Sequence, residues 1–482
     1  FPWERQDAMT TTLDKMRIAI LPFTNLSSDP EEGYFADGMT EELITSISGV
    51  RQLTVIARTS VMGYKGTTKK VKEIGRELEV GTVLEGSVRK AGNRVRITAQ
   101  LIDTLTEGHI WAQNYDRQLE DVFAIQSEIA EKVAGELKIR LVEEEKRVIE
   151  RRPTENTEAY TFYLRGRELI REMTEPTLRQ SLIVLQKAVA MDPTFAKAHA
   201  AIALAHAELV TMFFEPYEQA MPKAELAVNR ALQLDPELAE AHATLARIHF
   251  QEDNVMGGES EAKKAVELNP SLADAYFSLS SVYLVRGEIA EGLKASETCF
   301  KLDPVLPRYV ERLGQLYFYM GMEREALDHW TKTAHIAPAG TYRAEAEYYL
   351  HKGDIERARE FRSRVEALDP SHRWVTWMKG FIAGRSGDKE GALGVIQEIE
   401  KRWLGATNLN DIAFIHHSLG DLDSYFAYID RATDQHTLRY MYVMYCPLLE
   451  KGRDDPRYQA IMAKLKATFT AKEGQMASPK TG

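Results

Sequence analysis

The chain has 482 residues, too many for a single hydrophobic core, and its 44% hydrophobic and 28% charged residues are those of an ordinary globular protein. A formal net charge of −11 argues against a general nucleic-acid or anionic-membrane binder, since either needs a dominant basic surface. Its two cysteines, Cys299 and Cys446, lie far apart with no second ligand at metal spacing, which excludes a disulfide scaffold and a zinc finger and fits a reducing, cytoplasmic setting.

No stretch approaches the roughly 18 consecutive apolar residues of a transmembrane helix, and no signal-peptide core is seen. Because it begins at Phe1 rather than Met, the chain reads as a piece of a longer or processed protein, with residues 1–16 a linker or truncated start. Residues 17–145 alternate strand and helix signals. The apolar run 17–23, ended by Pro22-Phe23, suits a buried strand. A helix follows over 33–48, with Phe35, Met39, Leu43 and Ile47 on one stripe.

Residues 53–59 read as a second strand and 72–80 as a short helix stopped by Gly81. Strands 83–88 and 95–102 flank a hairpin whose Gly92-Asn93 pair supplies the turn. Residues 108–115 add a strand, and 122–141 form an amphipathic helix carrying Phe123, Ile125, Ile129, Val133 and Leu137. This is an α/β domain with a mixed sheet. Arg151-Arg152-Pro153 closes a charged stretch that marks its boundary.

From residue 157 to 465 the grammar is helical. Pro193, Pro236, Pro270, Pro304, Pro338 and Pro370 stand at spacings of 43, 34, 34, 34 and 32, five of them after Asp or Asn. Gly287, Gly321, Gly353, Gly387 and Gly420 repeat at 34, 32, 34 and 33 and carry the period beyond the prolines. Such a period means stacked helix pairs, about seven to eight here, in an all-α superhelical solenoid. The longer first interval holds a local insertion at Phe213-Phe214-Glu215-Pro216-Tyr217, and residues 466–482 read as a flexible tail.

Within the period, Tyr276, Leu279, Ser280 and Tyr283 precede Gly287; Leu313, Gly314 and Tyr317 precede Gly321 and Ala326; and Ala346 and Tyr349 precede Gly353 and Ala358. This half resembles the tetratricopeptide (TPR) family. The first half is similar to TolB-like domains, on Ile18-Ala19-Ile20-Leu21-Pro22-Phe23, Tyr34-Phe35-Ala36-Asp37-Gly38-Met39-Thr40-Glu41-Glu42 and Val55-Ile56-Ala57-Arg58-Thr59-Ser60. Leu84-Glu85-Gly86-Ser87-Val88-Arg89 and Asp121-Val122-Phe123-Ala124-Ile125-Gln126 extend that likeness. The resemblance implies a bacterial regulatory protein, a type often headed by an adenylate or guanylate cyclase, a serine/threonine kinase or a winged-helix domain.

Candidate sites are few. His199/His206 and His242/His249 are spaced seven apart, as a metal site on one helix face would be, but in repeat phase they hold the packing positions of Tyr276 and Tyr283. The acids of the Asp-Pro turns read as turn caps. Residues 37–42 are the densest polar cluster of the first domain: its acids could serve acid/base work or a divalent ion, but no His, Cys or Lys nucleophile accompanies them, and Thr40, Glu41 and Glu42 read equally as the acidic first turn of a helix. Arg89, Lys90, Arg94 and Arg96 make the hairpin tip basic, either a docking patch for an acidic partner or upstream domain or a solvated edge whose charges discourage aggregation.

The first helices of TPR pairs line a concave groove, and the slot after each aromatic reads Phe250, Leu284, Phe318 and Leu350, with Phe277, Arg247 and Arg343 alongside. That apolar line flanked by charge suits a protein or peptide ligand, and reads equally as packing between adjacent units or against the first domain. The expectation is a non-catalytic regulatory or scaffold module with no cofactor and no metal, able to form a homodimer. The alternatives are the regulatory region of a cyclase or kinase whose catalytic domain lies upstream, and an extracytoplasmic, periplasmic or membrane-anchored envelope component.

Overall fold

The computed structural model describes residues 13–27, 33–212, 214–252, 254–370, 372–402, 408–435 and 440–476. The chain divides into two compact units. The first takes in the chain up to Ile248 together with Glu259–Ser278 and Lys301–Pro304; the second takes in the rest. Most of the expected linker and residue Phe213 of the insertion lie outside the described residues.

The first unit opens with a six-stranded mixed sheet. Strands β1 (Arg17–Ile20), β2 (Thr24–Asn25), β3 (Thr54–Val55), β4 (Thr82–Ala91), β5 (Arg94–Asp103) and β6 (His109–Gln118) lie in the order β3-β1-β4-β5-β6, with β2 also on β4. Pairs β1/β3, β1/β4 and β2/β4 are parallel; β4/β5/β6 form an antiparallel meander. Gly92, at φ +59, makes the tight β4–β5 turn that a side chain would strain. Helices α1 (Gly33–Ser48), α2 (Arg58–Met62), α3 (Val71–Glu77), α4 (Val122–Glu136) and α5 (Glu143–Glu150) accompany the sheet.

Two expectations change here. The strand read over 53–59 is only two residues long, because the backbone turns helical at Arg58, where Ala57 N donates to Leu302 O at 2.8 Å. The helix read over 122–141 stops at Glu136, because Lys138 adopts φ +61 and closes the end.

Eight helix pairs follow among the described residues: α6 (Thr157–Arg171) and α7 (Glu175–Met191), α8 (Ala196–Thr211) and α9 (Tyr217–Leu234), α10 (Ala239–Gln251) and α11 (Val255–Leu268), and α12 (Ala273–Val285) and α13 (Ile289–Leu302) come first. Then come α14 (Pro307–Tyr319) and α15 (Glu323–Thr333), α16 (Pro338–His351) and α17 (Ile355–Leu368), α18 (Arg373–Arg385) and α19 (Lys389–Arg402), and α20 (Leu409–Ser418) and α21 (Leu422–Asp434). The fold is an α/β domain followed by a TPR-type solenoid. The five phased glycines sit at the turns within pairs with φ between +72 and +82, a left-handed conformation that glycine takes without a steric penalty.

Between pairs, Asp192, Asp235 and Asn269 accept the backbone N–H of Thr194, Glu237 and Ser271 at 2.9, 3.0 and 3.0 Å. Each side chain thereby holds the turn into the next first helix. After the pairs come α22 (Tyr440–Tyr445), a 3₁₀ turn (Pro447–Gly452) and α23 (Pro456–Met476). The segment expected to be flexible from residue 466 is therefore helical to Met476, in keeping with its Lys466, Ala467, Ala471, Lys472 and Glu473. Among the described residues no helix is long and apolar enough to cross a membrane.

Hydrophobic burial joins the sheet to the first repeats. One continuous core of the first unit runs from Ile18, Ile20, Leu84 and Ile97 through Phe123 and Ile129 to Tyr160, Tyr163, Leu164 and Phe195. The ring centroids of Phe123–Tyr160 and Tyr163–Phe195 stand 4.9 and 5.0 Å apart, within aromatic packing range. The boundary read between residues 145 and 157 is a connection in sequence that the core crosses.

Candidate partner-binding face

In the first unit, charge lies between the sheet domain and the repeats. On α1, Glu41 meets Arg167 of α6 at 3.0 Å and Glu42 meets Lys197 of α8 at 2.7 Å. Asp37 pairs with Lys65 at 2.7 Å. The acidic cluster thus binds α1 to the first helices of the array. Burial raises the Glu42 carboxyl above its ordinary value by more than Lys197 lowers it. Burial also works against the Lys197 ammonium, but Glu42, Tyr163 and Glu240 together outweigh it and hold Lys197 above the usual lysine value.

The turns between pairs face the same way. Thr154 donates to Asp192, Arg151 pairs with Asp235 at 2.7 Å, Val55 N donates to Ser271 Oγ at 3.0 Å, and Ser60 Oγ donates to Asp303 at 2.8 Å. Four successive Asp/Asn turns therefore serve as docking points as well as turn caps. An open cleft of about 780 Å³ remains, lined among others by Glu42, Arg151, Arg152, Asp192, Lys197 and Asp235.

One histidine of each pair is bonded into the turn before its own helix. His199 Nε2, His242 Nε2 and Tyr276 Oη donate to the carbonyls of Pro193, Pro236 and Pro270 at 3.1, 2.9 and 3.1 Å, one repeat position filled three times. Among the described residues no three His, Cys, Asp or Glu gather as a metal site would require. Arg247 bridges Glu208 and Asp274, the latter at 3.0 Å, and so links three first helices. Phe277 is half-buried in this unit. At the hairpin tip, Arg94 and Arg96 share Asp116 at 2.8 and 2.6 Å, Arg89 donates to Leu26 O, and Lys90 lies 5.7 Å over the Phe35 ring.

In the second unit three of the expected groove residues are buried: Leu284, Phe318 and Leu350 are 0%, 5% and 1% exposed. They form no continuous exposed line. Leu284 and Phe318 reach the second helix of their own pair, and Phe318 also meets Tyr348 and His351 of the next first helix, each at 5.9 Å. Leu284 lies where a Cβ at Gly292 of α13 would fall, and Phe318 packs edge-on to Trp330 of α15 at 6.0 Å. Phe250 is half-buried and packs with Tyr440 over Val255, Val282 and Val285. Arg343 pairs with Glu311 at 2.5 Å on the neighbouring first helix.

The first-helix face of this unit is instead built around Glu347, which is 1% exposed. Trp374 Nε1 donates to it at 3.2 Å, Tyr319 Oη at 3.1 Å and Tyr442 Oη at 2.8 Å. Burial raises this carboxyl above its usual value despite these donors. The Tyr442 ring stacks on Phe414 at 5.6 Å and meets Trp377 and Tyr319 edge-on at 6.0 and 6.1 Å. Tyr445 Oη donates to the Leu284 carbonyl. A face made of α12, α14, α16, α18 and α20 thus holds a segment of the chain itself, α22.

Glu347 lies on the helical row of Arg247, Ser281 and Gln315, so its position was readable from repeat phase. That a segment some 95 residues away would cover it was not. The one available signal was the run Tyr440, Tyr442 and Tyr445, aromatic-rich and outside the repeat phase.

No protein-family model matches the chain. It is 43% identical over 208 residues to the protein named "Putative adenylate cyclase 3" of Rhizobium meliloti (strain 1021). The similar region spans 43% of this chain and 35% of that protein. Among solved structures, a tetratricopeptide repeat protein from Parabacteroides merdae is similar at 18% identity and TM-score 0.36, over 54% of this chain and 96% of that one. The human IFIT1 dimer with m7Gppp-AAAA is similar at 14% identity and TM-score 0.41, over 66% and 78%.

Proposed function

We propose that the chain is a non-catalytic regulatory module in which a TolB-like α/β domain anchors a TPR array that binds a protein or peptide through its first-helix face. The observation that carries this reading is the seating of Tyr440–Tyr445 on that face, with the Tyr442 hydroxyl on the buried Glu347. A surface that takes a short aromatic segment, with apolar walls and one polar anchor, has the chemistry of peptide recognition. A second reading, the regulatory region of an adenylate cyclase, draws support from the 43% identity to the R. meliloti protein.

The test is quantitative binding of peptides selected by display on the unaltered chain. Phe250→Ala combined with Arg343→Ala should weaken the selected peptides by about tenfold or more, the scale of losing one good anchor, with helical circular dichroism unchanged. Equal affinities for both chains would refute the face as the binding surface.

A further inference from the structure

We infer that Tyr440–Tyr445 is a built-in occupant of the partner face, and that the partner displacing it is a peptide with the same Tyr-x-Tyr-x-x-Tyr pattern and an unmodified central tyrosine. This rests on the partner-binding reading above and names that partner's chemistry and its regulation.

Glu347 is held by two donors of the array, Trp374 Nε1 and Tyr319 Oη, with Gln315 Nε2 donating to Tyr319 Oη at 2.9 Å behind them. Only the third donor, Tyr442 Oη, comes from the segment. Take the segment away and the carboxylate keeps its position but lacks one hydroxyl, beside an aromatic slot of Phe414, Trp377 and Tyr319. Tyr440 and Tyr445 mark the two ends of the trace, on the Val255, Val282 and Val285 cluster and on the Leu284 carbonyl.

The segment fits incompletely. Five of the six residues of α22 are only half-buried, whereas the first-helix residues beneath are buried. Trp377 Nε1 is buried with no acceptor among the described residues, and a cleft of about 210 Å³ stays open beside Tyr445. A ligand able to fill that cleft or accept from Trp377 has contacts available that the segment does not make. Tethering gives the segment a millimolar-scale effective concentration, so a free competitor binds weakly until the segment leaves. A phosphate on the central tyrosine would replace the donor with a dianion facing Glu347, so the face selects against the modified residue.

The experiment uses a fluorescein-labelled synthetic peptide with the sequence of residues 438–448, titrated into the full chain by fluorescence anisotropy. A chain carrying Tyr440→Ser, Tyr442→Ser and Tyr445→Ser should bind it at least about tenfold more tightly than the unaltered chain. Adding Glu347→Gln should weaken that binding by about tenfold, the loss expected for a hydrogen bond to a charged group, and phosphorylating the central tyrosine of the peptide should abolish it.

Should the triple variant lose its helical circular dichroism, Tyr442→Phe in the otherwise unaltered chain removes only the hydroxyl and should still raise peptide binding several-fold. Failure of the peptide to bind a folded triple variant, or of Tyr442→Phe to raise binding where the triple variant does not fold, overturns the inference. Equal binding of the phosphorylated peptide overturns it too. If display-selected peptides still depend on Phe250 and Arg343 in that case, the partner reading survives alone; if neither class binds, both fall.

Discussion

Lys197→Met is expected to destabilise the first unit by about 3–5 kcal/mol, the range for removing one partner of a buried ion pair. Lys197 Nζ lies 2.7 Å from Glu42, whose side chain is 4% exposed, and Glu42 Oε1 has no hydrogen-bond partner among the described residues. Losing the ammonium would leave both carboxylate oxygens buried without a donor. The double variant Glu42→Gln with Lys197→Met removes the charge as well and should recover most of the loss, because a buried neutral amide costs far less than a buried unpaired carboxylate.

The deficit of the single variant should also depend on pH in one direction. Burial places the Glu42 carboxyl above its unfolded value, so the penalty is greatest at neutral pH and shrinks as pH falls and the group takes up a proton. Urea titrations at pH 7.5 and 5.0, with hydrogen exchange of the β4 and β5 amides reporting on the first unit, measure both effects. A pH-independent deficit, or a double variant as unstable as the single one, would show that Lys197 acts through packing rather than charge.

The repeat architecture is legible because it is periodic: a turn needs the same residue each time, so Pro193 to Pro370 and Gly287 to Gly420 fall into phase in the sequence alone. The histidine reading followed from the same phase, since His199, His242 and Tyr276 fill one position and bond one carbonyl. What could not be phased was non-local. Asp235 and Asp303 look alike in sequence as turn caps, and their second role depends on Arg151 and Ser60 reaching them across the first unit.

The line Leu284, Phe318, Leu350 failed for a related reason. Helical spacing says that those residues share a face of their own helices, but not whether that face meets the paired helix or solvent. Gly292 bears on Leu284 and Trp330 on Phe318, and both lie on the second helices. The docking segment was less legible still: no periodic rule ties Tyr442 to Glu347.

His417 makes the second unit acid-sensitive. It lies on α20, is 4% exposed, and packs edge-on against Tyr425 at 5.0 Å. Neither ring nitrogen has a hydrogen-bond partner among the described residues, so nothing there stabilises a second proton. Burial, with Arg385, Lys451 and Arg453 nearby, pushes its pKa down to about 4 from the ordinary 6.5. A histidine whose folded value is depressed leaves stability intact above its unfolded value and erodes it as pH falls from about 6.5 toward 4, because only the unfolded chain takes up the proton in that window.

At pH 5 the loss from this group is about 2 kcal/mol relative to pH 7.5. His329, also buried and depressed mainly by desolvation, acts in the same direction with its own smaller share. His417→Phe keeps a ring against Tyr425 and removes the titration. Its unfolding free energy, from urea titrations read by the tryptophan emission to which Trp330, Trp374 and Trp377 of this unit contribute, should therefore fall by about 2 kcal/mol less than that of the unaltered chain between pH 7.5 and 5.0. Parallel losses in the two chains would mean that the His417 ring gains a proton partner in the folded state, and the acid sensitivity would then pass to His329, which keeps one hydrogen bond, to the Val310 carbonyl, at 2.9 Å.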